Sequence, residues 1–276
     1  MGNVIVITGL AEGMGREVAV MLARSGDTIA GFDMNSAGIA ALEQELKSHG
    51  NPFYLETMNI TDRGGIQRFR DTVLDRFGQV DTVVSNVGIG FFGPFEETDL
   101  EKAMKCLEIN VIGAAAIFQA FLPSMRLKRR GKLVAMSSLV GRIPFPFESI
   151  YTASKFALQG MMEAIQYEVK PFGIDVALVE PAQVSTNFAA KIHQLPPEGS
   201  PYRDRARRFI ERDNALIKTA TTPRTAAEKI VRVIRDHRPR LHNQVDFMST
   251  VFLALNRILP KFARDMILVN YMDIRA

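Results

Sequence analysis

A tyrosine and a lysine stand four residues apart in the segment from Tyr151 to Lys155. The apolar pattern from Ser149 to Val169 predicts one long helix, in which residues i and i+4 share a face. A nearby ammonium favours a phenolate, so we expect Lys155 to lower the pKa of Tyr151 from its ordinary value of about 10. A tyrosine with such a pKa can take up and release protons as a general acid–base.

A serine precedes this pair at the end of the apolar run from Lys132 to Ser138. The run predicts a buried strand, and a hydroxyl at its end can hydrogen-bond the substrate oxygen that the tyrosine protonates. A lone Tyr-x-x-x-Lys pair is more often a solvated helix face than a site. The added serine, together with the N-terminal glycines described below, favours a catalytic role for all three residues.

Strand-like and helix-like segments alternate along most of the chain, which has 276 residues, 47% of them hydrophobic. Six strands in such an alternation predict a doubly wound parallel sheet with helices on both faces. We therefore expect one Rossmann-like α/β domain over residues 1–276. The predicted strands are Asn3–Thr8, Asp27–Asp33, Phe53–Met58, Val80–Ser85, Lys132–Ser138 and Ile174–Glu180.

The helices predicted between these strands differ in length. They are Gly13–Ser25, Ser36–His49 with a serine cap, Asp62–Phe77, Asp99–Arg126 with a bend near Gly113, and Ser149–Val169. Beyond Pro181 the alternation ends, and residues 183–222 are expected to form a substrate loop that becomes helical and basic. A helix over Pro223–His237 and a last strand over Arg240–Val245 follow.

A C-terminal helical extension is predicted over residues 246–276, interrupted at Pro260. Its apolar positions are expected to pack against the body of the protein. The alternatives are a cover over a substrate cleft and a peripheral contact with a membrane surface.

Composition excludes several classes of function. The net charge is +4, and the basic segment Arg203–Arg240 lacks the aromatic platforms of nucleic-acid-binding proteins, so we expect no nucleic-acid partner. No apolar run is long enough to predict a membrane span. The single Cys106 is expected to be a buried side chain and fits a cytoplasmic location, and the scattered histidines predict no metal site.

A glycine-rich turn lies between the first predicted strand and the first helix, in Thr8-Gly9-Leu-Ala-Glu12-Gly13-Met14-Gly15. Glycines there permit a tight turn and let backbone amides approach a pyrophosphate, to which the helix N-terminus adds partial positive charge. Asp33 ends the second strand, where a carboxylate can hold the hydroxyls of an adenosine ribose. The pattern predicts a dinucleotide site.

Together these motifs resemble the short-chain dehydrogenase/reductase family over nearly the whole chain, to about residue 240. Ser138, Tyr151 and Lys155 match the family's catalytic residues, and Asn110 matches an asparagine that the resemblance implies holds an ordered water beside the lysine. The run Tyr151–Gly160 with Pro171-Phe-Gly173 is similar to the branch of hydroxysteroid and retinol dehydrogenases.

The resemblance also implies further cofactor contacts. Ser85–Gly88 is similar to the family's N-N-A-G, Asn59-Ile60 sits where the adenine is contacted, and Pro181–Thr186 resembles P-G-x-V-x-T with Ala182 in place of glycine. The expected cofactor-binding residues are Gly9, Glu12, Gly13, Met14, Gly15, Asp33, Met34, Asn59, Ile60, Asn86, Gly88, Tyr151, Lys155, Pro181, Val184 and Thr186. NAD is expected over NADP, because Asp33 would repel the extra phosphate and Met34 offers no cation.

The implied reaction is hydride transfer between a nicotinamide and an alcohol or ketone carbon. Three loops, Gly90–Phe95, Val140–Phe147 and Phe188–Leu195, are expected to converge on the reacting centre and favour a bulky, mostly apolar substrate, with about half of their phenylalanines only packing the loops. The formal charges expected nearby are Arg142, Glu148 and Lys191. The expected substrate contacts are Ser138, Val140, Phe145, Tyr151 and Phe188.

Two other functions remain open from the sequence: an NADPH-dependent reductase of acyl-carrier or polyketide carbonyls, and a non-catalytic protein that senses the cofactor. A homodimer or homotetramer is also expected, built partly on the helix Ser149–Val169. The apolar side chains expected to be left uncovered on that helix are Phe156, Leu158, Met161, Met162 and Ile165.

Overall fold

The fold is known from a computed structural model that describes residues 2–186, 188 and 194–275. Within these residues, seven parallel strands form one sheet in the order β3-β2-β1-β4-β5-β6-β7. The predicted doubly wound fold is thus confirmed. The strands are β1 Val4–Thr8, β2 Thr28–Asp33, β3 Phe53–Thr57, β4 Thr82–Ser85, β5 Gly131–Met136, β6 Ile174–Val179 and β7 His242–Asn243.

The boundaries of several strands differ from the prediction. Each of the six predicted strands is present with one or two residues changed at an end, and Ser138 lies beyond β5 instead of inside it. The last strand, predicted over Arg240–Val245, contains only His242 and Asn243. The Asn243 side chain donates to the backbone oxygens of Leu178 and Arg240 at 3.1 and 2.7 Å, which fastens this short strand to β6 and to the residues before it.

The α-helices follow the predicted order, but the helix predicted over Asp99–Arg126 is divided into two. They are α1 Gly13–Arg24, α2 Ser36–Lys47, α3 Arg63–Phe77, α4 Leu100–Leu107, α5 Ala114–Lys128, α6 Ser149–Val169, α7 Arg203–Lys218, α8 Pro223–Arg235, α9 Phe247–Ile258 and α10 Lys261–Tyr271. The predicted serine cap of α2 is wrong. Asn35 is the N-cap, and its side chain accepts a hydrogen bond from the Gly38 amide, whereas Ser36 is already helical.

The predicted bend near Gly113 is a π-helical turn, Glu108–Gly113, between α4 and α5. Gly113 packs so closely on Ile60 that an added Cβ would lie 2.8 Å from that side chain. The stretch Leu100–Lys128 is apolar and long enough to cross a membrane by composition, yet half of its most apolar window is buried. Phe118 and Phe121 are almost fully buried against the sheet, so this is a core helix.

Alternating residues of the strands fill two apolar cores, as parallel strands buried on both faces require. Val4 and Val6 of β1 belong to the core beneath α3, α5 and α6. Ile5 and Ile7 belong to the core beneath α1, α2 and α8. Helix α6 therefore turns part of its apolar surface inward. Leu158 and Met162, expected to be uncovered, are buried, whereas Phe156 is 43% exposed.

The C-terminal segment packs on α7 instead of extending into solvent. Met272 and Ile274 are buried in a third apolar cluster with Phe92 and Phe209. Three arginines of α7 donate hydrogen bonds to backbone oxygens of the last residues. Arg205 donates to Ile274 at 3.1 Å, and Arg212 donates to Tyr271 at 2.8 Å. Arg208 donates to both Asp273, at 3.1 Å, and Arg275, at 2.8 Å. The basic segment is thus partly explained by its role in holding the chain's end.

Candidate active site

The glycine turn after β1 adopts the backbone that its sequence predicts. Gly9 and Gly13 have φ values of 69° and 59°, in the left-handed region that side chains rarely adopt. A Cβ on Gly15 would lie 2.3 Å from the Gly9 oxygen and 2.5 Å from Nδ2 of Asn86. The turn and the N-terminus of α1 therefore leave a cradle of backbone that fits a dinucleotide pyrophosphate.

The turn lies where the order of strands reverses, because β1 pairs with β2 on one side and with β4 on the other. The Thr8 hydroxyl accepts hydrogen bonds from the amides of Asn86 (3.0 Å) and Val87 (3.2 Å). Asn86 Nδ2 donates to the Gly9 oxygen at 2.7 Å. These bonds fasten the predicted floor segment to the glycine turn, at the point where open α/β sheets bind ligands.

Asp33 is held in a defined orientation at the end of β2. Its carboxylate accepts hydrogen bonds from the amides of Ala11 (3.1 Å) and Asn35 (2.9 Å) and faces the cleft. Met34 follows it and is 75% exposed. A carboxylate in this place fits the hydroxyls of an adenosine ribose.

Ser138 and Tyr151 come together from different elements. Ser138 follows β5, and Tyr151 lies in the first turn of α6. The serine hydroxyl also accepts from the Val140 amide at 3.3 Å and donates to the Pro181 oxygen at 3.4 Å. Both side chains are buried yet line the cleft, so their hydroxyls can meet one substrate oxygen.

Lys155 lies one helical turn after Tyr151, as predicted, with its ammonium inside the protein. Its Nζ donates to the Met136 oxygen at 2.8 Å and lies 5.6 Å from the centre of the Tyr151 ring. Burial lowers the pKa of Lys155 to about 8, because a charged amine loses its hydration there.

The expected lowering of the Tyr151 pKa is wrong for this arrangement. Burial raises the pKa of Tyr151 above its ordinary value, and the charge of Glu148 raises it further, while the hydrogen bond from Ser138 opposes both. The Lys155 ammonium, 5.6 Å from the centre of the ring, does not reverse the effect of burial. The phenol is therefore protonated at neutral pH and suited to donate a proton.

Asn110 reaches the site from the π-helical turn. Its Oδ1 accepts from the Ile89 amide at 2.8 Å, and its Nδ2 donates to the Ile89 oxygen and to the Ser154 hydroxyl, both at 2.9 Å. A Cβ on Gly88 would lie 3.4 Å from both Asn110 Oδ1 and Lys155 Nζ. The asparagine thus fixes the segment after β4 close to the lysine, with no direct bond between the two side chains.

The predicted residues surround one cleft with a volume of about 1450 Å³. Two of them, Gly15 and Asn110, lie behind its wall. The predicted residues that line it are Gly9, Glu12, Gly13, Met14, Asp33, Met34, Asn59, Ile60, Asn86, Gly88, Ser138, Val140, Phe145, Tyr151, Lys155, Pro181, Val184, Thr186 and Phe188.

A family model described as short chain dehydrogenase matches residues 3–196. The chain belongs to the short-chain dehydrogenase family. Its members are oxidoreductases that use a nicotinamide dinucleotide, NAD or NADP, and the glycine cradle, Asp33 and Lys155 fit such a group.

Known relatives of this short-chain dehydrogenase cover most of its length. Dehydrogenase/reductase SDR family member 7B of Mus musculus is 33% identical over 230 residues, covering 82% of this chain and 67% of that protein. 17-beta-hydroxysteroid dehydrogenase type 1 of Homo sapiens is 30% identical over 275 residues, with 93% and 80% covered. The crystal structure of a short-chain dehydrogenase from Streptomyces avermitilis matches with a TM-score of 0.81 at 28% identity, covering 96% and 94%.

The segment after β6 is held between the two halves of the dehydrogenase's cleft. The Ala182 amide donates to Asp246 at 2.8 Å, and the Ser185 amide donates to the Thr221 oxygen at 2.9 Å. Ala182 is outside the left-handed region, so alanine fits where the family has glycine. The Thr186 methyl would lie 3.8 Å from a Cβ on Gly13, which places this threonine beside the cofactor turn.

More of the loop phenylalanines reach the cleft than the half that was expected. Phe91, Phe92, Phe145 and Phe188 line it, and the Phe188 ring lies 5.8 Å from the Tyr151 ring. Phe147 packs at 5.8 Å from both Phe92 and Phe209 in the third apolar cluster. Phe95 is 70% exposed. Lys191 and Ile192, which were expected to face the substrate, lie outside the described residues.

The charges at the cleft differ from the expectation. Arg142 does not line it; its guanidinium pairs with the fully buried Glu180 at 3.3 Å and lies 2.9 Å from Nδ1 of His242. Glu148 does line the cleft, together with four acidic residues that the sequence analysis did not identify, Glu97, Asp99, Asp213 and Asp246. They lie far from the catalytic motif in sequence, so no local pattern marked them.

The C-terminal extension contributes to the wall of the cleft. The sequence analysis had given a cover over the cleft only as an alternative to packing against the body of the protein. Phe247, Met248, Phe252 and Tyr271 line the outer cleft. Phe252 and Tyr271 pack edge to face with their centres 4.8 Å apart, which joins α9 to the end of α10.

Proposed function

We propose that this protein interconverts a bulky, mostly apolar secondary alcohol and its ketone, using NAD. The observation that carries the proposal is the position of the buried Ser138 and Tyr151 side chains at the wall of one cleft. They face a cleft whose outer part is lined by Phe91, Phe145 and Phe188. Burying apolar area in such a cleft stabilises a bound ring or chain by about 25 cal/mol per Å².

In the direction of ketone reduction, Tyr151 gives its proton to the carbonyl oxygen. Ser138 donates a second hydrogen bond to that oxygen and stabilises the charge that develops on it. The nicotinamide supplies or accepts the hydride. The raised pKa of Tyr151 keeps the phenol protonated for this step. In the direction of oxidation the tyrosinate takes the proton of the alcohol and becomes the phenol again, and the positive charge of the buried Lys155 favours the tyrosinate that this direction needs at its start.

The preference for NAD rests on Asp33. Its carboxylate is held by two backbone amides and cannot easily turn away from a 2′-phosphate. Among the described residues, the lysines that line the cleft are Lys102, Lys105 and Lys155, and none is adjacent in sequence to Asp33. Like charges at such a site cost several kcal/mol.

The kcat/KM values for NADH and NADPH test this preference, and we expect NADH to be favoured at least tenfold. Asp33→Ala should lower the ratio of kcat/KM for NADH to kcat/KM for NADPH, whereas Asp62→Ala, at the N-cap of α3, should leave this ratio unchanged. Equal values for the wild-type protein would refute the preference without refuting the reaction.

A panel of carbonyl compounds tests the substrate class. Steroid, terpenoid, aromatic and long-chain ketones should give higher kcat/KM values than sugars and small polyol-derived ketones. The human relative named above is called a hydroxysteroid dehydrogenase, so steroid ketones are the first to assay. No hydride transfer with any carbonyl would favour a non-catalytic sensor of the cofactor.

We also propose a homo-oligomer built on the exposed side of α6 and α4. Phe156 and Tyr167 on α6 and Met104 on α4 are 43%, 76% and 64% exposed. In an isologous interface each helix would meet its symmetry mate. Light scattering at micromolar concentration should give at least twice the chain mass, and Phe156→Asp should reduce it towards the monomer. A monomeric wild-type protein would contradict the proposal.

A further inference from the structure

Helices α9 and α10 leave large apolar side chains in solvent. Phe247, Ile258 and Phe262 are 76%, 78% and 75% exposed, and Met266 is 59% exposed. Single exposed apolar residues are common, but a group of this size on two consecutive helices marks a surface that is covered in use.

The exposure is confined to the outer side of these helices. Phe247, Val251, Leu255 and Ile258 follow one another at helical spacing along α9, and Leu255 is 37% exposed. The opposite side of α9 packs against the protein, since Ser249 is buried and Phe252 packs on Tyr271. The outer stripe is therefore not needed to attach α9 to the body of the protein.

The stripe continues into the substrate cleft. Phe247 and Met248, both exposed at the surface, also line the cleft together with Phe252. Asp246 caps α9 by accepting from the Ser249 amide at 2.6 Å and also accepts from the Ala182 amide at 2.8 Å. The start of α9 is thus fastened to the segment that follows β6, at the mouth of the cleft.

The charges around the stripe are mostly positive. Helix α9 has no acidic residue, and Arg257 ends it in an exposed position. In α10, Lys261 pairs with Asp265, the single acidic residue of that helix, and Arg264 donates to Asn256 at 2.9 Å. Such a face is complementary to anionic lipid headgroups.

We propose that α9 and α10 dock this protein on the surface of an anionic lipid bilayer, with the mouth of the cleft towards the lipid. This rests on the proposed function in one respect: a mostly apolar substrate would then pass from the bilayer into the cleft. Helix α9 has 12 residues, and a span needs about 20, so it lies in the interface and does not cross it.

Vesicle binding tests the proposal without using turnover. The full chain should sediment with vesicles of phosphatidylcholine and phosphatidylserine, and less with phosphatidylcholine alone. The double variant Ile258→Asp/Phe262→Asp should bind at least tenfold more weakly. Leu127→Asp is the matched control, because Leu127 is 77% exposed at the end of α5, and it should bind as the wild type does. Equal loss in the control, or no binding by the wild type, would overturn the proposal.

A fluorescence measurement guards against a variant that fails to fold. The chain has no tryptophan, so Phe262→Trp introduces a single reporter. Its emission should shift to shorter wavelength when phosphatidylserine vesicles are added, whereas that of Leu127→Trp, at the end of α5, should not. A shift that instead follows protein concentration without lipid would mean that a second copy covers the stripe, and would overturn the proposal. Failure of the substrate panel would leave these measurements unaffected.

Discussion

The cofactor half and the substrate half of the cleft are built from different parts of the chain. The cofactor half consists of backbone: the turn Gly9–Gly15, the floor Ser85–Gly88 and the amides that hold Asp33. The substrate half consists of side chains from loops, α7 and the C-terminal segment. Backbone geometry follows from short local motifs, whereas a wall of side chains depends on how distant segments pack. Variants that act on one half alone measure how independent the two are.

The largest effect is expected at the junction of the halves. Tyr151→Phe removes the hydroxyl that transfers the proton and keeps the ring, so kcat should fall about 1,000-fold. The cofactor dissociation constant, from NADH fluorescence, should change less than twofold. Lys155→Ala should weaken both turnover and cofactor binding. If Tyr151→Phe kept a tenth of the wild-type kcat, Tyr151 would not be the acid–base.

Gly15→Ala should damage the cofactor half. Its Cβ would lie 2.3 Å from the Gly9 oxygen, and overpacking of this kind costs about 1–3 kcal/mol, or roughly tenfold in NADH affinity. Gly160→Ala is the control, because a Cβ there meets no heavy atom within 4 Å and alanine favours a helix. NADH titration and thermal melts compare the two. Wild-type affinity in Gly15→Ala would show that the turn can relax.

The double variant Arg208→Ala/Arg212→Ala should weaken the attachment of the C-terminal segment to α7, and so disturb the substrate half. The two guanidiniums hold the oxygens of Arg275 and Tyr271, and Arg212 also lies 5.3 Å over the Tyr271 ring. Losing these contacts should raise KM for an apolar ketone by about threefold to tenfold, since each such bond contributes about 1 kcal/mol. The NADH dissociation constant should not change.

The control for the double variant Arg208→Ala/Arg212→Ala lies on the same helix. Arg207→Ala removes an exposed arginine that pairs with Asp204 at 3.1 Å within α7. It should leave both KM and cofactor affinity unchanged. A rise in the NADH dissociation constant in the double variant would show that the two halves are coupled.

The smallest effect concerns the pH dependence of stability. Burial, aided by the charge of Asp213, raises the pKa of Glu148 to about 8, against about 4.3 for an exposed glutamate. Between these values the folded protein keeps a proton that the unfolded chain has released, so this group's contribution to stability falls as pH rises. Glu148→Gln should gain a few degrees in Tm over the wild type between pH 5 and pH 9. Glu97→Gln, on the exposed rim, is the control; equal gains in both would reject the assignment.

Most of the fold could be predicted because the hydrophobic pattern is local. The helix Ser149–Val169 has the predicted bounds, and the strands differ by one or two residues. The errors lie where a side chain competes with a neighbour for a backbone group, as Asn35 does with Ser36 at the start of α2. The last strand was also overestimated, since only His242 and Asn243 pair with β6.

By itself, the sequence determined the alternation of strands and helices, the glycine turn and the identity of Ser138, Tyr151 and Lys155, since each depends on residues close together in the chain. Only the tertiary structure decided whether the pKa of Tyr151 is raised or lowered, because the desolvation of the phenol depends on everything packed around the ring. It also brought Asp213 and the C-terminal helices to the cleft. Those contacts join segments far apart in sequence, whose meeting is decided by packing and not by any local pattern.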